Sequence, residues 1–194
     1  MNRQILRTAA FSAVMVPAAA YAHTGMHPTG GFSAGLTHPF LGLDHVLAMV
    51  LVGAWAGMQR RAAMLALPAA FLALMAVGAG AGLAGVTLPA VELGIGLSVV
   101  VLGALAAANV QLLPALGAAV VGVFALAHGH AHGAEVPAGA SALTYGAGFL
   151  LGTAALHAIG IGVSRMARKP ALQHAVRAGA GVAGLAGVAI LLGL

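Results

Sequence analysis

Long apolar runs separated by very short polar segments dominate the chain. Beyond residue 35 there are six such runs, each about 20 residues long and therefore long enough to cross a bilayer as one α-helix. They predict helices at residues 36–58, 62–84, 88–108, 111–131, 142–164 and 174–193. The connections are too short for a soluble domain, so the pattern predicts an all-α integral membrane protein in which residues 23–194 form a single six-helix bundle.

The first 22 residues follow a different pattern, that of a secretory signal peptide. Arg3 and Arg7 precede a short apolar stretch, and Ala20-Tyr21-Ala22 matches the small-residue cleavage site. Cleavage after Ala22 would begin the mature chain at His23, on the periplasmic side of the inner membrane. An uncleaved first helix is the alternative interpretation of this segment.

The few basic residues give the helices an orientation. With the mature N-terminus outside, the cytoplasmic connections are residues 59–61, the turn near Asn109 and residues 165–173, and the six remaining basic residues lie in or beside the first and last of these. The outer segments 23–35, 85–87 and 132–141 carry no lysine or arginine. This is the distribution that the positive-inside rule requires, so we predict a multi-pass protein of the bacterial inner membrane.

Composition excludes several classes of function. Charged residues make up 6% of the chain and apolar residues 61%, against roughly 25% charged in a soluble domain. Eight basic residues are too few for a nucleic-acid surface, and the absence of cysteine excludes thiolate metal sites and iron–sulfur clusters. The one lysine, Lys169, is followed by proline and is not part of a P-loop, so the chain has no ATPase site of its own.

Glycine pairs at four-residue spacing occur in four of the predicted helices. In an apolar span, this spacing lets two helix backbones approach closely, and we interpret the pairs as packing contacts and nothing more. The pairs are Gly53/Gly57, Gly78/Gly82, Gly129/Gly133 and Gly148/Gly152.

The first predicted helix opens with two histidines and an acid, in the segment HPFLGLDH at 38–45. His38 and His45 share one stripe of a regular helix but lie about 10.5 Å apart along it, too far to share one ion without distortion, so they suggest two positions on a path. A proline and a glycine inside the segment could loosen this turn and shorten the distance. Asp44 lies about 100° around the helix from His45, where it could bind an ion from the side or orient the imidazole.

The fourth predicted helix ends in HGHAHGAE at 128–135. His128 and His132 are four residues apart and stack on one face, where they could bind one ion together, whereas His130 points about 200° away from that face. Glu135 follows them. His157 lies in the fifth predicted helix, about 22 Å from its outer end. A simple polar exit into the outer loop is the alternative interpretation of this segment, and Glu92 in the third helix could merely cap its first turn.

Several ionisable residues within apolar spans indicate a function, because each costs about 2.5–3.5 kcal/mol at a helix centre. One buried histidine is more often a packing residue than a ligand, but five histidines with two acids are hard to explain by packing. Imidazole and carboxylate without thiolate suit Ni²⁺, Co²⁺, Zn²⁺ or Cu²⁺. Two other classes stay open: a membrane haem protein with axial histidines, and an intramembrane hydrolase using Ser98 and His157, although no glycine follows that serine.

The segment at 38–45 resembles the HPxxGxDH signature of the HupE/UreJ family of nickel and cobalt permeases. The second family element, FxxxHGxxHGxE, is matched by residues 124–135, and Leu156-His157-Ala158-Ile159-Gly160 gives a further match. The resemblance implies a cleavable signal, six helices and a non-enzymatic uptake transporter that works without ATP or a prosthetic group. Such a transporter would bring nickel, or cobalt, to a metalloenzyme such as hydrogenase or urease. It also implies metal-handling roles for His38, Asp44, His45, His128, His132, Glu135 and His157. His23, His27 and His130 lie outside the family pattern, so the resemblance leaves their roles open.

Overall fold

The computed structural model describes residues 31–137, 139–167 and 169–194, and within these ranges it contains helices and no strand. The predicted signal peptide, together with His23 and His27, lies outside the described residues. A 3₁₀ turn, His38–Phe40, follows the first helix. The helices are α1 (Gly31–Thr37), α2 (Leu43–Met58), α3 (Arg61–Leu83), α4 (Val91–Ala107), α5 (Pro114–Ala134), α6 (Ala142–Met166) and α7 (Pro170–Leu192).

Several of these helices have the length and apolar composition of membrane spans. Helices α3, α5, α6 and α7 each qualify alone, and α1 with its 3₁₀ turn qualifies together with α2, although an 80° bend separates the two parts. Helix α4 is apolar but shorter, at 17 residues. The prediction of an all-helical, multi-pass membrane protein is therefore confirmed. The described residues contain four candidate spans, or five when the bent pair counts as one, and the predicted number of six stays a prediction.

The prediction of one continuous first helix at 36–58 is wrong. Helix α1 ends at Thr37, a 3₁₀ turn with Pro39 near its start follows, and Gly42 adopts an extended conformation (φ −99°, ψ 126°) before α2 begins. Proline lacks the N–H that would continue the helical hydrogen bonds, and glycine loses more conformational entropy in a helix than other residues do. The chain therefore turns by 80° inside the segment where the sequence predicts only a loosened turn.

The other predicted helices agree with the structure to within four residues, and the largest difference, at the start of α7, is at a proline. Helix α5 begins at Pro114 rather than at residue 111, and α7 begins at Pro170 rather than at 174. Proline suits the first turn of a helix, where no N–H is needed. Because α5 continues to Ala134, all the histidines of its last turns have helical positions.

Helices α3 and α5 pack backbone to backbone through glycine. A Cβ at Gly129 would overlap the carbonyl oxygen of Met75, and one at Gly133 would overlap that of Ala79. Only glycine permits this approach, which fixes α5 and its histidines against α3. The two predicted glycine pairs at this contact are Gly78/Gly82 on α3 and Gly129/Gly133 on α5.

We expect Gly129→Ala to lower the free energy of unfolding by about 1–3 kcal/mol, the usual cost of overpacking, because the backbone of α3 would have to move. Denaturant or thermal unfolding of the detergent-purified protein measures the change. Gly80→Ala on α3 is the matched control, since its added Cβ meets no atom within 4 Å. Similar losses in both variants would show that the close approach of α3 and α5 contributes little.

Hydrogen bonds tie the connection between α4 and α5 to the end of α2. The indole Nε1 of Trp55 and the amide Nε2 of Gln59 both donate to the carbonyl oxygen of Val110, at 2.9 and 2.8 Å. The backbone N–H of Leu112 donates to Gln59 Oε1 at 3.3 Å. We call this end of the bundle, where α2 joins α3, α4 joins α5 and α6 joins α7, the arginine end. The opposite end, which contains His38 and Glu135, is the histidine end.

Candidate metal centre

The bend between α1 and α2 gives two histidines a relative position that a regular helix would not give them. His38 lies in the 3₁₀ turn and His45 in the first turn of α2. The ring centroids of both lie close to that of His132 on α5, at 4.7 Å for His38 and 4.3 Å for His45. The break replaces the regular helical spacing from which the separation of about 10.5 Å between His38 and His45 was calculated, and each imidazole contacts His132 instead.

Helix α5 contributes the centre of the cluster. His132 is 5% exposed and lies between the other imidazoles, and His128 is fully buried one turn away. The ring centroid of His128 is 4.8 Å from that of His45. The predicted common face of His128 and His132 is thus the face turned toward the bent pair. We call the four residues His38, His45, His128 and His132 the histidine cluster.

A carboxylate completes the cluster at the surface. Glu135 Oε2 lies 3.9 Å from His38 Nε2 and 4.0 Å from His132 Nδ1. The candidate ligand atoms of these three residues lie within 4.8 Å of one another. Ligands about 2.1 Å from one ion are about 3–4 Å apart, so adjustments of about 1 Å would let all three bind it. The Glu135 side chain is 42% exposed, which leaves this part of the cluster accessible from outside.

Asp44 contacts His45 directly. Its Oδ1 accepts hydrogen bonds from the His45 backbone N–H at 2.8 Å and from the ring Nδ1 at 2.9 Å. A proton held on Nδ1 leaves Nε2 with its lone pair, the arrangement in which carboxylates orient metal-binding imidazoles. Of the two roles that the sequence left open for Asp44, the geometry favours orienting the imidazole.

Several imidazole nitrogens in this region are buried and have no hydrogen-bond partner among the described residues. They include His45 Nε2, His128 Nε2 and both ring nitrogens of His132. His128 Nδ1 donates to the carbonyl oxygen of Phe124 at 2.9 Å, which leaves its Nε2 as the acceptor atom. Buried polar atoms are as a rule satisfied, so several unsatisfied acceptors in one cluster fit a site that can receive a cation.

His157 is separate from the histidine cluster. It is 2% exposed on α6, and its ring contacts that of Phe71 at 5.2 Å between centroids. The Phe71 ring also contacts His128 at 5.7 Å. Neither nitrogen of His157 has a hydrogen-bond partner among the described residues, and neither does the hydroxyl of Thr153 one turn away. The buried Phe71 side chain thus contacts both His128 of the histidine cluster and the separate His157.

Three aromatic residues that contact these histidines could not be selected from the sequence. Phe149 lies 4.2 Å from His132, and Tyr145 lies 5.9 Å from His38, measured between ring centroids. Phe71 is the third. The four-residue spacing of Tyr145 and Phe149 indicates that they share one face of a helix. In a chain that is 61% apolar, many residue pairs have this spacing, so it does not identify a site.

His130 and Glu92 lie apart from the cluster. His130 Nε2 donates to the carbonyl oxygen of Val86 at 2.6 Å, in the connection between α3 and α4. This agrees with the prediction that His130 points away from its neighbouring histidines. Glu92 is exposed in the first turn of α4.

The contacts do not favour the two alternative classes. The histidine rings meet edge to face at 4.3–4.8 Å, which leaves no room for a porphyrin between them. The Ser98 hydroxyl donates to the Ile95 carbonyl of its own helix, and the ring of His157 contacts Phe71. A serine activated by histidine would need a hydrogen bond between the two side chains.

Comparison with known proteins places the chain in a family. The model of the family described as HupE / UreJ protein matches residues 11–190. Protein HupE of Rhizobium leguminosarum bv. viciae is 45% identical over 186 residues, which cover 96% of this chain and 97% of that protein. No solved structure matches the chain. The chain therefore belongs to the HupE/UreJ family of nickel and cobalt permeases, which are transport proteins and not enzymes.

Proposed function

We propose that the chain is a secondary transporter that carries Ni²⁺, and also Co²⁺, across the inner membrane to supply a metalloenzyme such as hydrogenase or urease. The observation that carries this proposal is the meeting of four histidines and two carboxylates at one end of an apolar bundle. They come from the bent α1–α2 segment and from the end of α5. Membership of the HupE/UreJ family supports the same conclusion.

The chemistry of the cluster suits a borderline divalent cation. Imidazole nitrogen with carboxylate oxygen favours nickel, cobalt, copper and zinc over magnesium or calcium, which prefer oxygen alone. Asp44 and Glu135 together carry two negative charges, enough to balance one dication as it loses water. Binding must stay weak enough for release, so the ligands must exchange one at a time along the path.

The arrangement supports entry in stages. The accessible Glu135, with His38 and His132, would capture the ion, and His45 with the buried His128 would receive it next. The Phe71 ring lies against both His128 and His157, so its side chain would have to turn aside before the ion reaches the deeper site. An inside-negative potential favours this direction by about 4.6 kcal/mol per 100 mV for a dication, twice the value for one charge.

The proposed topology has six spans and a periplasmic histidine end. The bent α1–α2 pair counts as one span and α4 as a short one, and signal cleavage leaves His23 at the mature N-terminus outside. The arginine end then faces the cytoplasm, as the positive-inside rule requires. Intact-mass measurement of the membrane form tests the cleavage, and retention of Met1 would contradict it.

Single cysteines test the orientation without background, because the chain has none. A cysteine at position 135 should react with a membrane-impermeant maleimide on intact spheroplasts, since Glu135 is exposed at the histidine end. A cysteine at position 169 should react only after the membrane is broken, since Lys169 is exposed at the arginine end. The reverse labelling pattern would invert the topology and the direction of the proposed path.

Uptake of radioactive nickel by cells that express the chain tests the function itself. Cells deprived of their own nickel transporters should accumulate the metal only when the chain is expressed. Excess cobalt should compete strongly, and manganese, which prefers oxygen ligands, should not. Accumulation equal to that of cells with an empty vector, at normal membrane levels of the protein, would contradict the proposal.

A further inference from the structure

A cavity of about 300 Å³ lies at the arginine end, far from the histidine cluster. It is lined by the end of α2, the α4–α5 connection, the end of α6 and the first turns of α7. Among the described residues, its polar lining consists of Asn109, Ser164, Arg165, Gln173 and Arg177, and its apolar lining includes Met58 and Val176. Two guanidinium groups with amide and hydroxyl groups in one cavity are a typical environment for an anion.

The charge at this end has no acidic partner in the chain. Its three acidic residues are Asp44, Glu92 and Glu135. All three lie at the histidine end: Asp44 at the start of α2, Glu92 at the start of α4 and Glu135 just after α5. The arginines and the lysine that the structure describes lie at the arginine end. A counter-ion for the cavity arginines must therefore come from outside the protein.

The two cavity arginines keep donors available for such an anion. Arg177 is half-buried, and its Nε donates to the Ala107 carbonyl oxygen at 2.7 Å, which fixes the guanidinium at the end of α4. This bond uses one of the five N–H donors of the guanidinium, and both of its terminal amino groups make no hydrogen bond with the described residues. Arg165 is exposed at the end of α6 and lines the same cavity.

We propose that this cavity binds the phosphate group of an anionic phospholipid. In the proposed topology the cavity lies at the ends of the membrane spans, which is the level of lipid headgroups, and basic pockets between membrane helices are typical headgroup sites. Arginine matches phosphate by paired hydrogen bonds. The apolar side chains of Met58 and Val176 give the glycerol and upper acyl chain a surface that free phosphate would not need. This site does not depend on what the histidines bind.

The test uses the detergent-purified, delipidated full chain. Phosphatidylglycerol should raise its midpoint of thermal unfolding by a few degrees, because a ligand of the folded state stabilises it. Phosphatidylcholine and inorganic phosphate should not. Arg165→Gln should reduce the shift strongly, and it should fold normally, because the Arg165 side chain is exposed and makes no hydrogen bond with the described residues. Arg177→Gln should reduce it as well.

Arg61→Gln is the matched control, since Arg61 is exposed at the same end but does not line the cavity. Its shift with phosphatidylglycerol should equal that of the unmodified chain. Equal shifts in Arg165→Gln and Arg61→Gln would overturn the site and leave only diffuse attraction to charged lipid. An equal shift with inorganic phosphate would overturn the lipid assignment, and an equal shift with phosphatidylcholine would overturn the role of the phosphate charge.

Discussion

His132→Ala is expected to reduce nickel uptake by about 100-fold or more, to the level of cells that lack the protein. Removing even an outer partner of a metal ligand costs 10–100-fold, and His132 lies at the centre of the cluster. Its ring contacts both His38 and His45, and its Nδ1 is 4.0 Å from Glu135. Alanine at this position would remove the imidazole that links Glu135 and His38 to the deeper histidines.

His130→Ala is the matched control for this variant. The two residues are two positions apart on α5, and both substitutions remove an imidazole from the same end of the helix. His130 donates a hydrogen bond to the Val86 carbonyl oxygen in the connection between α3 and α4, and this bond involves no residue of the histidine cluster. Uptake per molecule in the membrane should stay within about twofold of the unmodified chain. Equal losses in both variants would contradict the assignment of the two faces of α5.

Asp44→Asn is expected to abolish uptake while the protein still reaches the membrane in normal amounts. Asparagine keeps an oxygen that can accept from His45, so the hydrogen bonds to its backbone N–H and ring can persist. It loses the negative charge that would balance a desolvated dication and that increases the basicity of the His45 ring. If Asp44 served packing alone, asparagine would cost little, because hydrogen bonds within membranes average about 0.6 kcal/mol.

Glu92→Gln is the control for loss of an acidic residue as such. Glu92 is exposed in the first turn of α4, outside the cluster. Its variant should take up nickel as the unmodified chain does, measured at equal membrane levels. Normal uptake by Asp44→Asn would refute a charge-dependent site at the start of α2.

The sequence was sufficient to find the residues of the candidate site but not their relation in space. The spacing of His128 and His132 on an uninterrupted helix gave their common face correctly, because helical geometry is fixed locally. The same argument failed for His38 and His45, since Pro39 and Gly42 lie between them and the chain bends by 80° there. A proline shows where a helix weakens, but tertiary contacts decide the angle of the bend.

The aromatic residues around the site illustrate the other limit. Phe71, Tyr145 and Phe149 contact imidazoles that lie on other helices or in the 3₁₀ turn. In a chain that is 61% apolar, a buried aromatic residue carries no local signal of its neighbours. Helix α1 was missed for a related reason, since its seven residues are too few to form a periodic pattern. Both features depend on contacts between different helices, which only the folded chain shows.

Nickel accumulation in proteoliposomes tests the central claim most directly. The purified chain would be reconstituted with a nickel chelator inside and no ATP, and an inside-negative potential would be imposed with potassium and valinomycin. The account predicts radioactive nickel uptake that increases with the potential and is absent from vesicles containing His132→Ala. Uptake no greater than in protein-free vesicles, or equal uptake by His132→Ala, would contradict transport through the histidine cluster.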